Sequence, residues 1–478
     1  MNWETVIGLE IHVQLSTKSK IFSGASAVYG SEQNTNTSLV DLGYPGVLPV
    51  LNKEAVMMAI KFGLAIDASI AERSIFARKN YFYPDLPKGY QISQYELPIV
   101  SEGSLTIRLD DGIDKRIGVT RAHLEEDAGK SIHDMFDNET AIDLNRAGTP
   151  LLEIVSEPEL SSAKEASLYM QKMHQLVRYL KISDGNMQEG SFRCDANVSL
   201  RPVGEKKLGT RAEIKNINSF RFIENAINYE IERQKELLEE GKEVIQETRL
   251  YDADRNETRS MRSKEEANDY RYFPDPDLLP ISIDSSLIET ITSSLPEKLD
   301  KKLERYTNQL SVKEEDAYEI TRNIDLIDYF EESLKTYDRN PQLLANLLLT
   351  EIMAIVNKEN IEVNDLDIRP QSLAQLVERL DDGTISSKIA KDILNQLKDG
   401  NFSVDDIIED QGLHQITDED QIRLVVLEVI NENDEQKKQY LLGKEQVLSF
   451  LIGKVMQKTK GKANPKLVND LMKQELSK

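Results

Sequence analysis

The chain has 478 residues, with 59 Lys and Arg against 83 Asp and Glu, for a net charge of −24. Its length allows two or three domains with sizeable cores, while its charge excludes wholesale wrapping by nucleic acid, which needs clustered cations. There is no apolar run of about 18 residues to span a membrane, no basic-then-apolar leader before the first strand, and one cysteine, Cys194, which excludes a disulfide framework or Cys-rich zinc site and fits a reducing cytoplasm.

The first element organises the rest. From Val6 to Leu15 the residues alternate without a break: Ile7, Leu9, Ile11, Val13 and Leu15 on one face, and Val6, Gly8, Glu10, His12 and Gln14 on the other. That is the period of a strand. Glu10 and His12 stand roughly 7 Å apart along it, a spacing that can share a hard divalent cation or exchange a proton. Turn chemistry is dense further on, at Gly43 to Gly46 and Pro84 to Gly89. Residues 52–66 read as a helix capped by Asn52, Ser162 to Leu180 as a second with Glu165 completing its cap, and Ser219 to Glu240 as a third.

Between the last two helices, Ser191 to Arg201 alternates cleanly. Phe192, Cys194, Ala196, Val198 and Leu200 form an apolar face, and Ser191, Arg193, Asp195, Asn197, Ser199 and Arg201 a polar one. Six hydrogen-bonding groups in file suit the floor of a polar site. From Leu295 to about Gly400 the apolar residues take a helical period. Asp405 to Asp410 reads as an acidic join, and Gln421 to Ile430, Lys444 to Gln457 and Pro465 to Leu476 as three short helices. The expected architecture is α+β: a large antiparallel-sheet catalytic domain with flanking helices (1–292), an all-helical domain (293–405) and a small helical module (406–478). From Gly443 onward eight Lys face three acids, a local +5 that marks a polyanion contact.

Phosphate loops, dinucleotide fingerprints, nucleophile elbows and His-Glu-x-x-His are all missing. Cys194 faces the apolar side and makes a poor nucleophile; His174 and His414 are read as structural. Chemistry concentrates elsewhere. His123 to Asp127 ends in three consecutive carboxylates that need a counter-charge, which a divalent cation supplies. Arg78 to Gln91 interleaves basic and aromatic residues in a Pro-fixed loop, as phosphate contact with base stacking requires. Lys215 to Phe220 and Asp269 to Asp275 place charge and aromatics at element ends.

Six ordered segments, Val6 to His12, Lys79 to Asp85, His123 to Asp127, Asn145 to Pro150, Glu189 to Asn197 and Asp269 to Pro274, closely resemble the B-subunit family of glutamyl-tRNA(Gln)/aspartyl-tRNA(Asn) amidotransferases. The match spans the chain, its tail from Gly461 to Lys466 being similar to that family's tRNA-contacting module. The resemblance implies ATP-dependent activation of the side-chain carboxylate of a misacylated tRNA and its amidation with ammonia. The ammonia comes from a partner glutaminase (A) subunit, tied on by a small (C) subunit.

By position the resemblance makes Glu10, His12 and Glu125 the candidate ligands of Mg²⁺, or of Mn²⁺, with Glu126 or Asp127 behind them. Lys79, Lys88 and Arg193 would meet phosphate or the activated carboxylate, beside Asp195. Tyr81, Tyr83, Ser191, Asn197 and Lys215 would line the nucleotide site, and Thr149 and Asp275 the ammonia route. Lys454, Lys458, Lys460, Lys462, Asn464 and Lys466 would meet tRNA(Gln) or tRNA(Asn). The chain departs from many relatives in one respect: where they carry the four cysteines of an early zinc knuckle, the corresponding stretches Phe22 to Ala25 and Thr37 to Asp41 hold no cysteine. No structural zinc is expected, and packing must hold that loop. Two other classes stay open at this level: a non-catalytic tRNA-binding scaffold, and a metal-dependent phosphoester hydrolase.

Overall fold

A computed structural model describes residues 2–136, 138–263, 267–398, 403–416 and 418–477. The chain divides into two compact units, Met1–Pro296 and Glu297–Lys478. In the first, β1 (Trp3–Gln14) leads to α1 (Lys53–Ala65). Short strands follow: β2 (Ser69–Ile70), β3 (Arg73–Ser74), β4 (Ala77–Asn80) and β5 (Tyr90–Ser93). Next come β6 (Val100–Arg108), β7 (Asp114–Glu126), β8 (Lys130–Phe136), β9 (Glu139–Asp143) and β10 (Pro150–Ser156). Then α2 (Ala163–Tyr179), β11 (Phe192–Pro202), β12 (Ala212–Lys215) and α3 (Phe220–Glu239) precede β13 (Glu247–Asp252) and β14 (Glu257–Ser263). The unit ends with β15 (Phe273–Pro274), β16 (Ile281–Ser282) and α4 (Ser285–Ser294).

Nine strands form one sheet in the order β14-β13-β12-β11-β1-β10-β7-β6-β2. The β12–β13 pair is parallel and the other pairings antiparallel. β1 is its centre, paired with β11 on one side and β10 on the other. Ile7, Leu9, Ile11 and Val13 are buried at 0–1% exposure, and β11 buries Phe192, Cys194, Ala196, Val198 and Leu200 beside them. Onto this face pack α1 (against β6 and β7), α2 (against β6) and α3 (against β11). Each helix starts at the residue its sequence marks. Asn52 accepts from the Glu54 amide (2.9 Å), Ser162 from that of Glu165 (3.1 Å) and Ser219 from that of Phe222 (3.1 Å). Each such cap is worth about 1 kcal/mol.

The loop from Lys20 to Asp41 is held by more than packing. Lys20 is fully buried, and its ammonium lies 3.2 Å from Asp41, whose carboxylate also accepts from Ser23 Oγ and the Ser38 amide. A buried ion pair is tolerated when its remaining acceptors are satisfied in this way.

The second unit is helical: α5 (Leu299–Asn308), α6 (Glu314–Arg322), α7 (Ile324–Leu334) and α8 (Pro341–Leu347), the last running through a wide turn (Leu348–Ile352) into α9 (Met353–Glu359). Then come α10 (Pro370–Asp381), α11 (Ser387–Leu397), α12 (Val404–Asp410), α13 (Glu419–Glu432), α14 (Asp434–Leu441), α15 (Gln446–Lys458) and α16 (Pro465–Leu476). Two expectations are corrected. The stretch read as an acidic join is a helix, α12, which buries Val404, Ile407 and Ile408 and places Asp405 and Asp406 in its first turn, where the helix dipole favours them. The terminal segment has four helices instead of three: α14 buries none of its residues, so no apolar period betrays it. The expected end of the helical stretch near Gly400 lies outside the described residues. Among those described, no helix is long and apolar enough to cross a membrane.

Candidate active site

Pairing across the sheet turns separate motifs into one polar surface. In register, His12 faces Arg193 on β11 and Glu153 on β10, and Glu153 in turn faces His123 on β7. One step along, Glu10 faces Asp195; one step the other way, Leu151 separates Gln14 from Glu125. The row Arg193–His12–Glu153–His123 therefore crosses four strands on the side away from the helices.

Two acidic groups stand on this floor. In the first, donor atoms of His12, Glu125 and Glu153 lie within 4.8 Å of one another. His12 Nε2 is 3.4 Å from Glu153 and 3.9 Å from Glu125, and His123 Nε2 is 3.6 and 3.7 Å from the same two carboxylates. Burial works against charge on Glu153, but His123, His12 and Lys79 hold its pKa well below the usual value. His12 is raised: burial opposes its proton, and Glu153 and Glu125 outweigh that. His123 Nδ1 is buried with no hydrogen-bond partner among the described residues. Two carboxylates and an imidazole at this spacing fit a divalent cation.

The second group is Glu10, Asp195 and Glu213, again within 4.8 Å. Here the counter-charge is built in. Lys215 binds Asp195 directly and lies 3.6 Å from Glu213; its burial is outweighed by these partners, which hold its pKa above the usual value. Asn197 donates to Glu10 (3.0 Å). The structure thus sets Glu10 with Asp195 and Glu213, apart from the His12–Glu125 set with which the sequence grouped it.

The three consecutive carboxylates are separated in the same way. Strand alternation turns Glu126 to the face opposite Glu125, where Lys88 binds both its oxygens. Asp127 accepts from Arg193 (2.8 Å) and Gln14 (2.9 Å), with Arg146 at 3.7 Å. Burial opposes its charge, yet Arg193 and Arg146 hold its pKa below the usual value. Only Glu125, bonded to Ser93 Oγ (3.3 Å), is left to imidazoles. Lys88 is thereby spent on Glu126, and Arg193 on Asp127, though Arg193 Nε stays buried without a partner among the described residues.

Lys79 differs from both. Among the described residues its ammonium makes no hydrogen bond or ion pair; it lies 4.8 Å from the Tyr270 ring centroid and 5.9 Å from that of Tyr81. Tyr81 and Tyr83 meet edge to face at 6.1 Å, and Tyr95 stacks on Tyr272 at 4.2 Å. This aromatic segment is fixed by Asn80, whose amide donates to the carbonyls of Tyr270 (3.1 Å) and Arg271 (2.9 Å). Asp275 is buried and bound to Arg78 (2.8 Å), and Thr149 is buried, its carbonyl accepting from the Asp127 amide. Ser191 is buried beside β11, its carbonyl accepting from the Gln14 amide.

Glu153, His123 and Glu213 are the site residues that the strand-by-strand reading left unassigned. The signal was present: Leu151-Leu152-Glu153-Ile154-Val155 sets a lone carboxylate in an apolar strand. Of the tail residues, Lys454, Lys458, Lys460 and Lys466 are exposed. Lys458 is engaged by Glu428 (2.8 Å) and Glu432 (2.7 Å), Lys462 donates to the Gly412 carbonyl (2.6 Å), and Asn464 caps α16.

Family models describe two parts of this chain: residues 5–289 match the GatB/GatE catalytic domain and residues 328–476 the GatB domain. The B subunit of the aspartyl/glutamyl-tRNA(Asn/Gln) amidotransferase from Thioalkalivibrio sulfidiphilus is 59% identical over 476 residues, covering all of both chains. The protein of the same name from Halorhodospira halophila is 58% identical over 100% of this chain and 99% of its own. That from Pseudomonas syringae pv. tomato is 56% identical over all of both.

Proposed function

The chain belongs to the GatB/GatE family, and we propose that it is the B subunit of an aspartyl/glutamyl-tRNA(Asn/Gln) amidotransferase, working in the cytoplasm. As such it is part of a ligase that forms a carbon–nitrogen bond. ATP activates the side-chain carboxylate of Glu-tRNA(Gln) or Asp-tRNA(Asn), and ammonia from the glutaminase (A) subunit, joined through the small (C) subunit, converts it to the amide. The scaffold and hydrolase readings are not favoured, because the likeness to amidotransferase B subunits runs the full length of the chain.

One observation carries the chemistry: Glu125 and Glu153 are floor carboxylates left to imidazoles, while neighbouring acids hold a Lys or Arg of their own. On this reading His12, Glu125 and Glu153 hold Mg²⁺ or Mn²⁺, with the orphaned His123 Nδ1 available to orient a bound water. When bound, such an ion neutralises charge on phosphate oxygens. Lys79, above the floor and without an ion pair among the described residues, meets a phosphate of ATP, and Tyr81 and Tyr83 offer ring faces to the base. Arg193 Nε and Asn197 face the tRNA-borne carboxylate, and Asp195 with Lys215 fixes the far wall. Phosphoryl transfer consists mainly of positioning and charge neutralisation, so these groups suffice without a protein nucleophile.

Thr149 and Asp275 are proposed to border the ammonia route, residues 406–478 to meet the tRNA, and the Lys20–Asp41 pair to stand where relatives place zinc. The test is ATP hydrolysis by the assembled complex with and without Glu-tRNA(Gln). ADP release should depend on Glu-tRNA and match amidated product; ADP release independent of tRNA would return the chain to the alternatives.

A further inference from the structure

β7 changes phase in its middle. Ile117 and Val119 face the core, but so do Ala122 and Leu124, so one residue has been added between the two pairs. The ladders locate it: on β10, Val155 pairs with Arg121 and the next residue, Ser156, with Val119; on β6, Ser101 pairs with Arg121 and Gly103 with Val119. Thr120 is the extra residue of β7, and Glu102, at φ 57°, that of β6. The bulge is pinned from outside. Thr120 Oγ1 donates to Glu157 (2.7 Å), the Glu157 amide donates to the Gly118 carbonyl (2.8 Å), and a Cβ on Gly118 would stand 2.7 Å from the Glu157 side chain. A bulge re-aims the side chains that follow it. Without this one Arg121, His123 and Glu125 would follow Ile117 and Val119 into the core; with it all three stand on the polar floor.

His123 and Glu125 are accounted for by the acidic group, and Arg121 is not. Among the described residues its guanidinium makes no hydrogen bond or ion pair, although it is half-buried. Arg193, Arg146, Lys88 and Lys215 on or near this floor are all bound to acids of the protein. Across the sheet, Arg121 shares its row with Glu10 and Asp195, separated by Val155 alone.

We propose that Arg121 is a substrate-binding residue, its guanidinium fork receiving an oxyanion, phosphate or carboxylate, at the edge of the acidic floor. A planar fork with five donors matches such a group in two parallel bonds. The proposal rests on the amidotransferase reading, and both ATP and the aminoacyl end of the tRNA carry this chemistry.

The experiment compares Arg121→Ala and Arg121→Lys with wild type in the assembled complex. Amidation kcat/KM should fall by about 10²-fold in the alanine variant and partly recover with lysine, which keeps the charge but loses the fork. A raised KM for ATP alone assigns the oxyanion to the nucleotide; a raised KM for Glu-tRNA alone assigns it to the tRNA end. Glutamine hydrolysis and Tm should stay unchanged, because no protein partner is lost. Kinetic constants within about twofold of wild type overturn the proposal, as does a loss that comes with a lowered Tm and no recovery in Arg121→Lys. If the wild-type complex itself makes no amidated tRNA, the underlying reading fails instead.

Discussion

Two acidic groups share the polar face of the nine-stranded sheet, and they differ in what balances them. Glu10, Asp195 and Glu213 have Lys215 among them, bonded to one and 3.6 Å from another. Among the described residues, His12, Glu125 and Glu153 have imidazoles at ion-pair distance, and no Lys or Arg. A carboxylate pair balanced by Lys is a finished structural unit; one balanced by His is open to a stronger cation. The acid count of the sequence could not make this distinction, since it depends on which side chains the strands bring into register.

The largest expected effect tests the open group. Glu153→Ala or Glu125→Ala removes a carboxylate without opening a core cavity, because both lie on the polar face. Amidation should drop by about 10²–10⁴-fold while the complex still assembles and hydrolyses glutamine. Near-normal amidation in Glu153→Ala at saturating Mg²⁺ would sink the assignment and leave Glu10 as the ligand to reconsider.

The closed group is tested by taking its lysine away. Lys215→Met leaves three carboxylates within 4.8 Å with no ammonium between them. Stability should fall by about 1–3 kcal/mol, since the buried acids lose a partner while staying partly hydrated. Added Mg²⁺ should restore much of the lost Tm in this variant and change wild type little. An equal Mg²⁺ effect on both proteins would erase the contrast drawn between the groups.

What the sequence made legible follows from the periods of its elements. β1 and β11 were readable because alternation is local, and α1 to α3 because Asn52, Ser162 and Ser219 are local caps. Glu153 was not assigned because its meaning comes from His12, 141 positions earlier in the chain and opposite it in register. The three consecutive carboxylates from Glu125 to Asp127 suggested one metal. Instead, alternation sends neighbours to opposite faces, so Lys88 and Arg193 answer two of them separately. The Thr120 bulge was hidden for the same reason: a phase change matters only beside strands whose pairing is known.

Asp127 gives a milder test, through pH. Its carboxyl titrates below the ordinary 3.8 in the folded chain because Arg193 and Arg146 outweigh its burial. A lowered native pKa contributes stability that is present above the unfolded value and lost as pH falls through the native one. Wild type should therefore exceed Asp127→Asn in Tm at pH 7, and the gap should close below about pH 4. A gap that stays constant from pH 7 to pH 3 would show that the charge of Asp127 is not what holds Arg193.

The smallest effects belong to the tail, where the same contrast between spent and open charge recurs. Lys458 is held by Glu428 and Glu432, so releasing it to a phosphate costs two ion pairs. Lys466 is exposed near the start of α16 and has no ion pair among the described residues. If the tail meets tRNA phosphates, each unpaired lysine contributes one released counterion, and a lysine already neutralised contributes less. Lys466→Ala should flatten the slope of log affinity against log salt by about 0.7–0.9. Lys458→Ala should flatten it by clearly less and weaken binding only slightly, since breaking its two pairs offsets most of what the phosphate would return. The measurement is a salt titration of tRNA binding by the assembled complex carrying each variant. Equal slopes for the two variants would mean that the Glu428 and Glu432 pairs exert no hold in solution, and a slope unchanged by Lys466→Ala would move the tRNA contact off this face of the terminal helices.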